Sequence, residues 1–161
     1  MENNQTIEEI KEKYKYIETL NDKTLVRMNG TFYAKLKCSF IKYNFKERIA
    51  KLQKNLQDNY NNFDKKDFYI YLDKLNELEN EITKLDKQLF SDFKNSYDFI
   101  LSVSRNYTIN KDVTGALKIY ENIFKEILDN QVKNIITHEK EFILLNDHIN
   151  DLIHKLNFNI C

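Results

Sequence analysis

Two long stretches of this chain place apolar residues every three or four positions. In the first, Phe68, Tyr71, Leu75, Leu78, Ile82, Leu85 and Leu89 alternate spacings of three and four. That is the seam of a coiled coil. After a step of two fours, which locally relaxes a supercoil, Phe93, Tyr97, Ile100 and Val103 continue it. The pattern predicts a long helix over 65–107. In the second, Val113, Leu117, Tyr120, Phe124, Ile127 and Gln131 lead into Ile135, His138, Phe142, Leu145, Ile149, Leu152 and Leu156. This predicts a second long helix over 111–157. Its apolar face is widened by Ile123, Leu128, Ile136, Ile143 and Ile153, and a face that wide wants more than one neighbour. The short connection between the two makes them an antiparallel hairpin.

The first third of the chain reads differently. Thr6 and Glu9 form a capping box ahead of Ile7, Ile10, Tyr14 and Ile17, which predicts a short helix over 5–22. Asn29-Gly30 is the favoured pair for a tight hairpin turn. Phe32, Ala34, Leu36, Cys38 and Phe40 then alternate with polar residues or Tyr33 in the period of a strand. A β-hairpin is expected over 24–38, with a helix ending at Gly30 and restarting at Thr31 as the alternative. Phe45, Ile49, Leu52, Leu56 and Tyr60 predict a helix over 40–60, and Asp64 is a candidate cap for the helix after it. The expected fold is mostly α, as a single helical domain over 1–161. It comprises a long antiparallel coiled-coil hairpin, shorter packed helices and a small β-hairpin.

Composition supports the helical reading. The chain of 161 residues has no proline and only two glycines, so the usual helix breakers are nearly missing. Aromatic residues at 13% supply buried area and argue against disorder. Lys+Arg and Asp+Glu balance at 25 each, which removes global steering toward nucleic acid or anionic lipid. Lys and Asn abundance fits an A+T-rich genome, so neither needs a functional cause. No membrane span is evident, and the first residues lack the plan of a signal peptide. Two cysteines are too few for a disulfide scaffold. A soluble, intracellular (cytoplasmic) protein is expected.

No catalytic constellation emerges. His138 opens a near miss to the zinc-protease pattern, but Phe142 stands where the second histidine belongs. Cys38 reads as a small apolar filler and Cys161 as a free terminal thiol. No phosphate-cradling glycine loop exists. No enzyme activity, cofactor, metal or small-molecule substrate is expected. Gln131 and His138 fall on seam positions, where polar residues either lie at a solvated edge, the commoner outcome, or fix register from within.

Residues 17–56 carry a resemblance. Arg27-Met28-Asn29-Gly30 resembles the Arg-Met/Leu-Val-Gly turn of β-type prefoldin subunits, and Asn44-Phe45-Lys46-Glu47-Arg48 resembles their Asn-Val-x-x-Arg. Leu52 and Leu56 match second-helix apolar positions of that family. The resemblance implies a hairpin used in oligomer assembly and helical arms that hold non-native or partner protein. The expected function is non-enzymatic protein binding, as scaffold, assembly subunit or prefoldin-like holder, with a protein partner or homo-oligomerisation. Expected contact residues are Val26, Met28, Phe32 and Tyr33 of the hairpin and Ile136, Ile143 and Ile153 of the last helix. The alternative is nucleic-acid association, as a small helical subunit or a phage- or virus-encoded inhibitor of a nucleoprotein complex. Lys42, Lys46, Arg48, Lys51 and Lys54 would carry it, because they cluster among Tyr43 and Phe45.

Overall fold

The computed structural model describes residues 22–110 and 114–160. The helix expected over 5–22 lies almost wholly outside them. Among the described residues every element is helical: α1 (Asp22–Tyr43), α2 (Phe45–Asp58), a single 3₁₀ turn (Tyr60–Asn62), α3 (Lys65–Asn110) and α4 (Thr114–Ile160). Asp64 stands directly before α3, and its carbonyl accepts the Phe68 N–H at 2.9 Å.

The β-hairpin expected over 24–38 is not there; that stretch is the interior of α1. The reason is a second pattern in the same residues. Leu25, Met28, Phe32, Leu36 and Phe40 are all buried, and their spacing of three, four, four and four is that of one helix face. Phe32, Leu36 and Phe40 satisfy both periods, since a step of four is even and also close to one helical turn. The residues that separate the two readings are Ala34 and Cys38. A strand would turn them inward with Phe32; in α1 both are exposed, so Cys38 is no core filler. Gly30 has no positive φ, so Asn29-Gly30 forms no hairpin turn of the favoured type.

The helix expected over 40–60 is divided at Asn44. This residue adopts left-handed φ 55° and ψ 42°, a conformation asparagine tolerates better than most residues. Its Nδ2 donates to Glu47 Oε2 at 2.6 Å, and its backbone carbonyl accepts from Arg48 N at 3.1 Å. The chain therefore re-enters helix at Phe45 after one irregular residue. Tyr60, expected on the buried stripe, lies in the 3₁₀ turn and is exposed.

Two compact units are formed. One comprises the chain up to Lys37 together with Leu89–Glu139, and the other Cys38–Gln88 together with Lys140 onward. In the first, Leu25, Ile100, Val103, Phe124 and Ile127 form a core cluster against which Val26, Tyr120, Ile123 and Leu128 pack. Asp92 meets His138, while Ile100 and Val103 meet Phe124 and Ile127. Rising numbers on α3 thus face falling numbers on α4, so the two helices run antiparallel in this unit. The same logic sets α1 antiparallel to α3, since Ser104 Oγ donates to Asp22 Oδ2 at 2.9 Å and Asn29 Nδ2 to the Phe93 carbonyl at 3.0 Å.

The second unit centres on Phe142, which is fully buried. Phe40, Tyr43 and Phe45 surround it with ring centroids at 5.6, 6.0 and 6.5 Å. Tyr43 and Phe45 bracket Asn44 and stack on one another at 5.0 Å, so the irregular residue delivers both rings to one side. Ile49, Leu52 and Leu56 continue the buried face of α2, and Leu75, Leu78, Ile82 and Leu85 supply that of α3. Each such side chain contributes about 1.5–3 kcal/mol on burial.

Candidate interaction surface

The first unit carries its polar groups in an unusual place. Asn29, Gln131 and His138 are all buried. His138, only 5% exposed, brings its Nε2 to 2.7 Å from Asp92 Oδ2. Gln131 Nε2 donates to the Leu25 carbonyl at 3.4 Å, and its Oε1, also buried, meets no donor. These residues line a small cleft with Phe32, Leu36, Leu89, Asn134 and Ile135, with free space of about 30 Å³. That is room for a water molecule or two and no organic ligand. The two seam positions that carry polar residues are therefore inside, not at a solvated edge. The contact of buried His138 with Asp92 restricts which turns of α3 and α4 can face each other, because a shift would strand the imidazole.

Outside this layer α3 presents a second apolar stripe. Phe90, Tyr97 and Leu101 are 53%, 38% and 39% exposed. They lie seven and four residues apart, which places them on one line of the helix. Phe93 joins them toward α1, and Tyr33 of α1 stacks on Phe93 at 4.6 Å and meets Phe90 edge-on at 6.3 Å. Phe93 is in turn 6.3 Å from Phe90 and 6.5 Å from Tyr97. Four rings thus form a continuous ladder whose outer members face solvent. Single exposed apolar residues such as Phe99 and Ile119 need no explanation; a contiguous aromatic row does.

The surface of α1 is open at Gly30. A Cβ built on Gly30 meets nothing within 4 Å, and Ala34 one turn on is exposed. Lys23 and Arg27 of α1 are exposed, as are Lys94, between Phe90 and Tyr97, and Arg105, one turn past Leu101. Asp98 is the exposed acidic residue beside them on α3.

Comparison with known protein families, with curated sequences and with solved structures finds no match to this chain. What the surface can do must come from its own chemistry. Among the described residues no group of three or more His, Cys, Asp or Glu side chains is placed to hold a metal ion. Nor is any helix there long and apolar enough to cross a membrane.

The residues expected to make contacts are dispersed. Met28 and Phe32 are core residues of the first unit. Val26 packs against its core cluster, and Tyr33 belongs to the ring ladder. Ile136 is half-buried in the first unit, and Ile143 and Ile153 are half-buried in the second. Of the basic residues, Lys42, Lys51 and Lys54 are exposed. Lys46 is 3.9 Å from Asp86. Arg48 is committed within its unit: Nη1 donates to the Tyr43 carbonyl at 3.1 Å and Asn146 Oδ1 at 2.8 Å, and Nη2 to Asn150 Oδ1 at 2.9 Å. Sequence spacing misses the outer stripe because it places Tyr97 on the seam, where the structure leaves it exposed, and assigns nothing to Phe90 beside the seam residue Leu89. A second line at 90, 97 and 101, read separately from the seam, is the signal that finds it.

Proposed function

We propose that this protein is a non-enzymatic helical module that binds another protein. The observation that supports the reading most is the solvent-facing aromatic row Phe90–Tyr97–Leu101, left over after the first unit has closed a core of its own. Aromatic residues are enriched at protein interfaces. The prefoldin-like holder belongs to this reading as the case in which the bound chain is non-native, and it operates without the hairpin the family uses.

The test is affinity capture from the native source with the full chain and with a Phe90→Ala/Tyr97→Ala/Leu101→Ala variant. Capture is followed by titration of the purified captured protein. A protein retained by the wild type, lost by the variant and rebound in purified form supports the proposal. Direct binding of an oligonucleotide that falls steeply with added salt and is abolished by Lys42→Glu/Lys51→Glu/Lys54→Glu replaces it with the nucleic-acid alternative. Stoichiometric bound nucleotide or metal with turnover refutes it in favour of an enzyme.

A further inference from the structure

Within the second unit, two adjoining cavities open between α3 and α4. One has about 380 Å³ of free space over Leu85 and Leu145, and the other about 270 Å³ over Leu78 and Leu152. All four leucines are buried. Glu81 and His148 border both cavities, so the two join into one trough, and rising numbers on α3 again meet falling numbers on α4. Leu144 stands at the lip of the larger cavity and is 56% exposed. Arg48 of α2 bonds Asn146 and Asn150, which lie on the side of α4 opposite His148. The trough therefore faces away from α2.

The residues along the trough are placed symmetrically. On α3, Lys74 and Glu77 precede Glu81 by seven and four residues, and Lys84 and Gln88 follow it by three and seven. On α4, Glu141, Leu144, Asp151 and Lys155 stand at the same offsets from His148. All are exposed. We infer that this face pairs with the same face of a second copy. The two-fold axis lies in the contact plane, crosses the helices, and passes the level of Glu81 and His148. α3 then meets α3 and α4 meets α4, each pair antiparallel, as an isologous contact requires.

This arrangement sets Glu77 of each copy level with Lys84 of the other. Leu144 of each copy comes level with Leu152 of the other, where the smaller cavity receives it. Lys74 meets Gln88. Asp151 and Lys155, paired at 3.1 Å in their own chain, meet Leu144 and Glu141. Glu81 meets its own counterpart beside both His148 rings. At the outer edge of α4, Lys140 and Asp147 come level with Lys155 and Asp147 of the other copy, where water screens both pairs. A two-fold axis running along the helices instead sets Glu77 against Asp151 and Lys74 against Lys155, so charge selects the crossed axis. The contact is about 21 Å long from Lys74 to Gln88 and two helices wide. That is small for a stable dimer, so a Kd in the micromolar range or weaker is expected. This self-association goes beyond the protein-binding reading above and does not use the Phe90–Tyr97–Leu101 row.

The test is sedimentation equilibrium of the full chain from micromolar to millimolar concentration. A reversible monomer–dimer equilibrium is expected. Leu144→Glu should weaken it by about tenfold or more, with the urea midpoint kept because the side chain is exposed. Glu77→Lys and Lys84→Glu should each weaken it. The double variant Glu77→Lys/Lys84→Glu should restore it, and an equimolar mixture of the two single variants should form a heterodimer. A chain that stays monomeric throughout overturns the inference. So does a dimer that Leu144→Glu leaves intact, one that the double variant fails to restore, or one that Phe90→Ala/Tyr97→Ala dissociates. Capture of another protein through the aromatic row can succeed or fail whatever the sedimentation shows, so the two proposals fail separately.

Discussion

Gly30→Ala discriminates sharply between the helical and hairpin readings of residues 24–38. In the structure Gly30 is an interior residue of α1 with no positive φ, and an added Cβ meets nothing within 4 Å. The methyl group therefore costs no steric strain. Alanine is better than glycine in a helix interior by about 0.8–1.0 kcal/mol, mostly because the unfolded chain loses freedom. The expected stabilisation is about 1 kcal/mol, or roughly 2–4 °C in Tm for a chain of this size. In a hairpin of the type that Asn-Gly favours, the same residue sits at positive φ. Alanine there costs about 1–2 kcal/mol. The two structures differ in the sign of the effect, by about 2–3 kcal/mol in total. The assay is urea unfolding followed by circular dichroism at the helix band, with the slope checked for constancy so that a shift in midpoint reports stability. A midpoint that falls on Gly30→Ala refutes the helical assignment of this stretch.

Three further outcomes follow from the packing. Phe142→Ala is expected to cost about 3–5 kcal/mol in urea unfolding because a fully buried ring leaves a cavity among three others, whereas the half-exposed Phe90→Ala should cost about 1 kcal/mol; equal costs would contradict the division between core and surface rows. Arg48→Lys should destabilise by about 1–2 kcal/mol, since an ammonium cannot reach Asn146, Asn150 and the Tyr43 carbonyl together, and an unchanged midpoint would show those bonds contribute nothing net. His138→Leu removes the group that meets Asp92 and should cost about 1–3 kcal/mol, while Gln131→Leu, which deletes a buried oxygen without a donor, should leave the midpoint unchanged or raise it; the reverse order would refute the account of the polar layer.

Long helices are determined by residues that repeat with the helical period, and here the repeat is nearly uninterrupted. The seam residues Leu75, Leu78, Ile82, Leu85 and Leu89, and Phe142, Leu145, Ile149, Leu152 and Leu156, are all buried where the spacing places them. With no proline to interrupt the backbone, that local information is sufficient. The antiparallel pairing of α3 and α4 within the first unit likewise follows from the short connection. Residues 24–38 show the limit of such reasoning. Phe32, Leu36 and Phe40 fit a strand and a helix equally, and Asn29-Gly30 favours the strand. The decision came from Leu25 and Met28, both buried on the face of Phe32; Leu25 packs against Ile100, Val103, Phe124 and Ile127, partners far away along the chain.

The same separation governs the surface. Sequence determined that this chain would make amphipathic helices with more apolar residues than one seam needs, because periodicity is a property of neighbours a few residues apart. Which surplus residues are covered and which face water was decided by tertiary structure. Val26 and Tyr33 pack inward or against rings of α3, His138 and Gln131 are enclosed, and Phe90, Tyr97 and Leu101 stay outside. Exposure is set by where neighbouring helices end and what they cover, and that information belongs to pairs of residues far apart in the chain.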